Sequence, residues 1–372
     1  MKISITANTS WYIYNFRRNT ILTIIDYGHE VIVISPDSEY KEKLESMGCK
    51  CVSIRMQRRG KNPIHDLQTL IDFYSVFKKE GINLTLNFTP KNNIYATLAA
   101  KILGVKVINN IAGLGVSFLQ NGYFTKILLM LYKLSQNYAD FVFFQNEEDR
   151  KLFIEFGISS ENKSFKLPGS GVDLARFEYS PLSQKETIKF LLVARLIAEK
   201  GVYIYVEAAK ELKRLYPNNV EFYLLGPLEE NSESAVTNDE INRWEEEGVI
   251  KYLGFTDLVE VELRKADCIV LPSYYREGVP KSLLEAAAIG RPIITTNNVG
   301  CKETVDDGYN GFLCKPKSVK SLIDGLKKFI DLPYCEKLNM GSNSRKKIQR
   351  DFDEKIVINK YMSEIKRVSK NE

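Results

Sequence analysis

Two carboxylates raise the question of chemistry. The run YYREGVPKSLLEAAAIGRPII, residues 274–294, sets Glu277 in a loop and Glu285 eight positions later, on the helix which that loop opens. Ionised carboxylates only accept hydrogen bonds, so the pair calls for a ligand rich in hydroxyl donors. The N–H groups of Gly278 and Val279 are expected to point outward at the helix start, and Pro280 suits its first turn, where a missing N–H costs nothing. A helix start also attracts anions. A phosphate flanked by polyols meets both demands. Ordinary helix-start acidity explains one acid near the first turn, but not the loop acid beside Gly278.

VARLIAEKG, residues 193–201, adds cations: Arg195 ends a buried strand and Lys200 follows five positions later across a short loop. Both can converge on one diphosphate. A strand ending in arginine is common, so the weight lies in its combination with paired acids on a later loop of the same sheet. LLGP, ending at Gly226 and Pro227, and YLGF, ending at Gly254 and Phe255, are glycine-punctuated strand exits where backbone can approach a base. In the first half, Lys91 with Asn92 and Asn93 forms a candidate wall. Gly113 and Gly115 are read either as a tight strand exit or as shaping an acceptor side.

These residues need elements to hold them. KISITAN, EVIVISP, KCVSIRM, LTLNF, KVINNIA and FVFFQN read as strands separated by amphipathic helices, and IKFLLVAR, VEFYLLGP, IKYLGF, CIVLPS, RPIITTN and GFLCK repeat the pattern. Alternation of this kind predicts an α/β chain of two Rossmann-like domains with parallel sheets. Ligands of such sheets bind beyond the carboxyl ends of the strands, so two facing sheets make a cleft. The expected division is 1–180, 181–350 and a closing helix over 351–372 that packs back toward the first domain. Asp351 and Asp353 form an Asp-x-Asp that could hold a divalent metal, but its place beside that helix favours capping.

Composition narrows the class. Residues 1–180 carry 22 Lys and Arg against 17 Asp and Glu, and the rest carry 30 of each. The formal charge of +5 is too mild for a nucleic-acid protein, yet its bias to the first half suits an anionic membrane surface or a phosphate-bearing substrate. Clusters sit at Arg17 and Arg18 and in IRMQRRGK, residues 54–61. The cysteines at 49, 51, 268, 301, 314 and 335 lack zinc-ligand spacing, and with only His29 and His65 no histidine-rich metal centre is expected. No signal-peptide pattern opens the chain, so a cytoplasmic location is expected. No apolar run reaches the roughly 20 residues needed to span a bilayer. Residues 116–139, rich in Leu, Tyr and Phe, read either as a core helix or as one lying on the membrane. AGLGVSF lacks the third glycine of a dinucleotide fingerprint, and no P-loop occurs.

Taken together, VARLIAEKG, YLLGP, YLGF and ADCIVLPSYYREGVPKSLLEAAAIGRPIITTNNVGCKETVDDGYNGFLC resemble the second domain of the retaining GT-B nucleotide-sugar glycosyltransferases of family four. The resemblance implies that Arg195 and Lys200 hold the donor diphosphate, Glu285 the ribose hydroxyls and Glu277 those of the transferred sugar. Leu284 joins Gly226, Pro227, Gly254, Phe255, Gly278, Val279 and Pro280 in the implied donor site. NFTPKNNIYATLAAKILGVKVINNIAGLGVSF resembles bacterial enzymes that add galactose or N-acetylgalactosamine to diphospho-undecaprenol-linked saccharides. Ser10, Trp11, Lys91, Asn92, Gly113 and Gly115 are then the expected acceptor side. Two departures stand out: Asn8, Thr9 and Ser10 replace the glycine pair of many relatives, and no histidine lies near Pro90, Lys91 and Asn92.

The implied reaction is metal-independent transfer from a UDP-sugar to a lipid-linked saccharide, by same-face attack in which the leaving phosphate takes the acceptor proton. No cofactor is expected, and the protein is expected to work against the cytoplasmic face of the inner membrane through its basic first domain. A nucleotide-sugar epimerase and a non-catalytic sugar-nucleotide sensor are the competing readings.

Overall fold

The computed structural model describes residues 1–57, 62–115, 123–229 and 232–369. Part of the basic run 54–61 and the start of the 116–139 segment lie outside the described residues. The chain forms two units, Met1–Ser170 with Lys355–Glu372, and Gly171–Glu354.

In the first unit the strands are β1 (Lys2–Thr6), β2 (Glu30–Ser35), β3 (Lys50–Ser53), β4 (Leu84–Asn87), β5 (Lys106–Ile111), β6 (Phe141–Phe144) and β7 (Ser164–Lys166). They form one parallel sheet in the order β3-β2-β1-β4-β5-β6-β7. Short apolar runs such as EVIVIS are buried almost throughout because helices cover both faces. Those helices are α1 (Ser10–Asp26), α2 (Lys41–Glu45), α3 (Pro63–Glu80), α4 (Thr97–Leu103), α5 (Tyr123–Gln136) and α6 (Glu147–Glu155). Local signals start them: the Thr9 hydroxyl accepts from the N–H of Tyr12 at 3.1 Å, and Asn62 caps α3 with Pro63 in its first turn. A π-helical turn, Asn92–Ala96, leads directly into α4.

The second unit holds β8 (Ile188–Val193), β9 (Val220–Leu225), β10 (Lys251–Tyr252), β11 (Cys268–Leu271), β12 (Ile293–Thr296) and β13 (Gly311–Cys314), parallel in the order β10-β9-β8-β11-β12-β13. Its helices are α7 (Val202–Leu215), α8 (Asn238–Glu246), α9 (Val259–Lys265), α10 (Lys281–Ile289), α11 (Val319–Asp331) and α12 (Tyr334–Asp351). Thr237 and Glu240 close α8 with a reciprocal capping box. The last helix, α13 (Glu354–Ser369), contributes Val357, Tyr361 and Ile365 to the core of the first unit, and Asn110 donates its side-chain N–H to the Tyr361 hydroxyl.

Two sequence expectations change. The strand β7 sits in ENKSFKLPGS, too short and polar for its periodicity to show. The units divide at Ser170–Gly171, upstream of 180, because Val172 and Phe177 are buried in the second core and Arg345 donates to the Phe177 carbonyl at 2.7 Å. The closing helix expected over 351–372 is α13, which opens after Asp353, while Asp351 is the last residue of α12 and is held by Arg350 at 2.6 Å. Among the described residues no group of His, Cys, Asp and Glu is arranged to hold a metal ion.

Candidate active site

The loops at the carboxyl ends of β8 and β11 are stapled together. The Glu199 carbonyl, in the turn after β8, accepts from the N–H groups of Tyr274 (2.9 Å) and Tyr275 (3.1 Å) and from the Ser273 hydroxyl (3.2 Å). Within this staple Lys200 forms an ion pair with Glu277, and the single Ser273 hydroxyl proton is shared between the Glu199 carbonyl and the same Glu277 carboxylate oxygen, 3.1 Å away. Both charged side chains are nearly buried, with 12% and 11% exposed. The Lys200 ammonium lies 5.4 Å from the centre of the Tyr275 ring. A buried charge pair with an added hydrogen bond is held in one geometry.

Glu277 also depends on the loop after β12. Gly300 has φ +84, and a Cβ there would stand 2.1 Å from the Gly278 carbonyl oxygen and 2.8 Å from the Glu277 Cβ. Only glycine lets this loop press against the acid. The same holds at Gly226, where a Cβ would meet the Ala194 carbonyl oxygen at 1.8 Å, while its N–H donates to the Gly254 carbonyl at 2.8 Å. The exits of β8, β9 and β10 are thereby drawn into one row. Pro227 takes part through its carbonyl, which accepts from Leu196 N–H at 3.0 Å, and Phe255 stands half exposed beyond it.

Arg195 does not share the Lys200 contact. Its guanidinium pairs with Glu229, after β9, at 3.4 Å. The helix after Glu277 is also one residue shorter than expected: Pro280 is the N-cap of α10 and Lys281 its first residue. The N–H groups of Gly278 and Val279 therefore belong to the loop, while those of Leu283 and Leu284 already bond to the Pro280 carbonyl at 3.1 and 3.3 Å.

Glu285 lies in the second turn of α10, on a helix whose residues 283–289 are all buried. Burial raises its carboxyl to about 7; Lys281 and Arg176 draw it back down and Glu260 adds to the rise. Arg176 is itself fixed by Glu260 at 2.9 Å and the Asp257 carbonyl at 2.7 Å. Ser273, Glu199, Glu229 and Arg176 carry no motif of their own, and only the folded loops single them out.

The first unit places its expected residues in a different kind of environment. Lys91 pairs with Asp66 at 2.5 Å, and Tyr95 donates to the other oxygen of that carboxylate at 2.8 Å. Asn92, at the start of the π-helical turn, is fully buried; it accepts from Thr89 at 2.6 Å, while its amide nitrogen has no partner among the described residues. Such turns recur at functional sites. The Ser10 hydroxyl is bound to Asp37 and receives the Tyr40 N–H at 3.1 Å, and Trp11 packs edge-on to Phe16. Gly113 and Gly115, beyond β5, are both left-handed, at φ +97 and +64.

Two parallel α/β units, the second with an acid-and-cation site at the carboxyl ends of its strands, define the GT-B class of glycosyltransferase. Solved structures agree on the fold: sucrose-phosphate synthase of Thermosynechococcus elongatus superimposes with a TM-score of 0.81 at 15% identity, covering 100% of both chains. Anabaena HepE, crystallised with UDP and glucose, gives 0.80 at 19% identity, over 98% of this chain and 99% of that one. Residues 176–347 match the family described as glycosyl transferases group 1, and residues 2–146 the one described as glycosyl transferase 4-like. The N,N'-diacetylbacillosaminyl-diphospho-undecaprenol alpha-1,3-N-acetylgalactosaminyltransferase of Campylobacter jejuni is 30% identical over the full length of both chains. A UDP-Gal:alpha-D-GlcNAc-diphosphoundecaprenol alpha-1,3-galactosyltransferase of Escherichia coli is 27% identical over 78% of this chain and 76% of its own. The chain belongs to the group 1 glycosyltransferase family, which sets the epimerase reading aside.

Proposed function

We propose that the protein transfers galactose or N-acetylgalactosamine from a UDP-sugar to an undecaprenyl-diphosphate-linked saccharide, with retention of configuration and without a metal ion, at the cytoplasmic face of the inner membrane. The observation that carries this is the Lys200–Glu277 pair, held by Ser273 on loops at the carboxyl ends of β8 and β11. The activities for which the Campylobacter and Escherichia relatives are named support the acceptor and sugar class, and the UDP bound to HepE supports the nucleotide.

In the donor complex Glu277 accepts from hydroxyls of the sugar, and Lys200, released from that carboxylate, donates to the diphosphate. Arg195 adds a second cation and Glu285 accepts from the ribose. The bond from the anomeric carbon to the β-phosphate oxygen breaks as the acceptor oxygen bonds that carbon on the same face, and the acceptor proton passes to the departing phosphate. Negative charge grows on the leaving group, so fixed cations stabilise the transition state more than the ground state.

The purified protein is to be assayed with UDP-galactose and UDP-N-acetylgalactosamine and a prenyl-diphosphate-linked saccharide, with the new linkage read by NMR. An α-linked product, formed equally in the presence of a chelator, is expected. An inverted linkage, or loss of transfer with the chelator, removes the stereochemical or the metal-free part of the proposal. Glu277→Gln is expected to lower turnover by about 10²-fold with the fold intact, the effect of removing one group that acts chiefly in the transition state; unchanged turnover returns Glu277 to a structural role.

A further inference from the structure

Helices that cover a sheet normally turn a polar face outward. Two helices of the first unit do not. On α3, Ile64, Leu67 and Ile71 are 67%, 56% and 50% exposed, and they recur at the i, i+3, i+7 spacing of a single stripe. On α5, Ile127, Met130 and Leu134 repeat that spacing at 39%, 58% and 50% exposure. The opposite faces carry the core: Thr69, Phe73 and Phe77 on α3, and Tyr132 on α5, are buried. The segment Asn92–Leu103 packs against both helices and adds Ile102, which is 65% exposed.

Charge around the stripes is one-sided. The acids of α3 are already matched: Asp66 by Lys91, Asp72 by Arg55 at 2.7 Å and Glu80 by Lys50 at 2.5 Å. Lys78 continues the α3 stripe, Lys101 adjoins Ile102, and Lys126 and Lys133 flank the α5 stripe; all four are exposed. Apolar side chains bordered by lysines complement a bilayer in which anionic headgroups overlie acyl chains. A second copy of the chain would bring lysines against lysines. Among the described residues no helix is long and apolar enough to cross a membrane, so contact along a helix face is the geometry left to these stripes.

We infer that the outer face of α3 and α5, with Ile102 between them, is a docking surface for an anionic lipid bilayer, which rests on the reading above only for the reason a lipid-linked acceptor makes docking useful. It extends the membrane contact expected for residues 116–139 to α3, and it does not require residues 116–122.

The test is co-sedimentation of the full chain with vesicles of equal parts phosphatidylcholine and phosphatidylglycerol, against vesicles of phosphatidylcholine alone. Binding to the anionic vesicles is expected, weakened by salt. Lys126→Gln with Lys133→Gln is expected to cut it about five-fold per lysine, and Ile71→Gln with Met130→Gln by at least about ten-fold. Because all four positions are exposed, both variants are expected to keep the wild-type melting temperature and wild-type transfer to a short-chain, water-soluble acceptor. Wild-type vesicle binding by both variants overturns the inference. So does a dimer in size-exclusion chromatography that Ile71→Gln with Met130→Gln disperses, since the occupant would then be a second copy. Vesicle binding that fails in the variants while the wild-type protein transfers no sugar to any acceptor leaves the docking face standing and removes the functional proposal instead.

Discussion

Beyond the strands of the second sheet the chain gathers charge: Lys200 against Glu277, Arg195 against Glu229, and Arg176 against Glu260. At the corresponding end of the first sheet it gathers amides. Asn87 donates to Asn109 at 2.8 Å, Asn109 donates to Thr97 at 2.9 Å and to Gln136 at 2.8 Å, and Asn93 donates to the Asn110 carbonyl at 2.8 Å. The two units share a parallel-sheet architecture, yet one end is held by ion pairs between loops and the other by hydrogen bonds between buried amides. An ion pair with a cation on one loop and an acid on another can be opened by a diphosphate and a sugar. The buried amides of the first unit bond mostly to one another, and those bonds mainly fix the strands in register.

The sharpest way to break this contrast is Lys200→Ala. If the second unit's charges act on the leaving diphosphate, turnover at saturating donor is expected to fall by about 10² to 10³, or roughly 2.7 to 4 kcal/mol, measured per folded molecule because Glu277 left without its cation also lowers the melting temperature. Near-normal turnover with a lowered melting temperature would instead make the pair a structural device, and the two units would differ in composition alone.

The same contrast explains what could be read in advance. All six strands of the second sheet and six of the seven in the first are legible as short runs between turn residues, most plainly those such as EVIVIS and CIVL, where cover on both faces demands apolar side chains. Glu277, Glu285 and Lys200 stand out because charged side chains are rarely placed beside buried strands without a reason. Arg195 was legible as a residue but not in its partner, since Glu229 lies on another loop and no spacing joins them. Asn87 and Asn109 carried no signal at all. Asparagine is common in loops, and only the parallel register that sets Asn87 opposite Asn109 shows them to be a buried pair. The π-helical turn at Asn92–Ala96 was hidden for a like reason, as its sequence reads as ordinary helix.

Asn109→Ala probes the quieter side. Its loss strands the buried side chains of Asn87, Thr97 and Gln136, and an unsatisfied buried group costs roughly 1–3 kcal/mol. For a unit of this size that lowers the melting temperature by about 2–4 °C per kcal/mol. Turnover per folded molecule is expected to hold. Calorimetry alongside active-site titration separates the two, and a collapse of turnover at unchanged melting temperature would move the amides into the site.

Glu285 supplies the smallest and most specific test, because its surroundings tune it toward neutral pH. Burial on α10 raises its carboxyl to about 7 against the pull of Lys281 and Arg176. Only the ionised form offers both oxygens as acceptors to ribose hydroxyls, so donor affinity is expected to weaken as pH falls through about 7, approaching ten-fold per unit below it. Stability runs the other way. The folded state holds this proton more tightly than the unfolded chain, so the stabilising effect is complete in acid and is lost as pH rises from the ordinary carboxyl range through about 7. Calorimetric titration of UDP across that range, repeated with Glu285→Gln, distinguishes the cause: the variant is expected to bind weakly at every pH and to lose the slope. A slope that survives in Glu285→Gln would assign the titration to another group and leave the buried acid as packing.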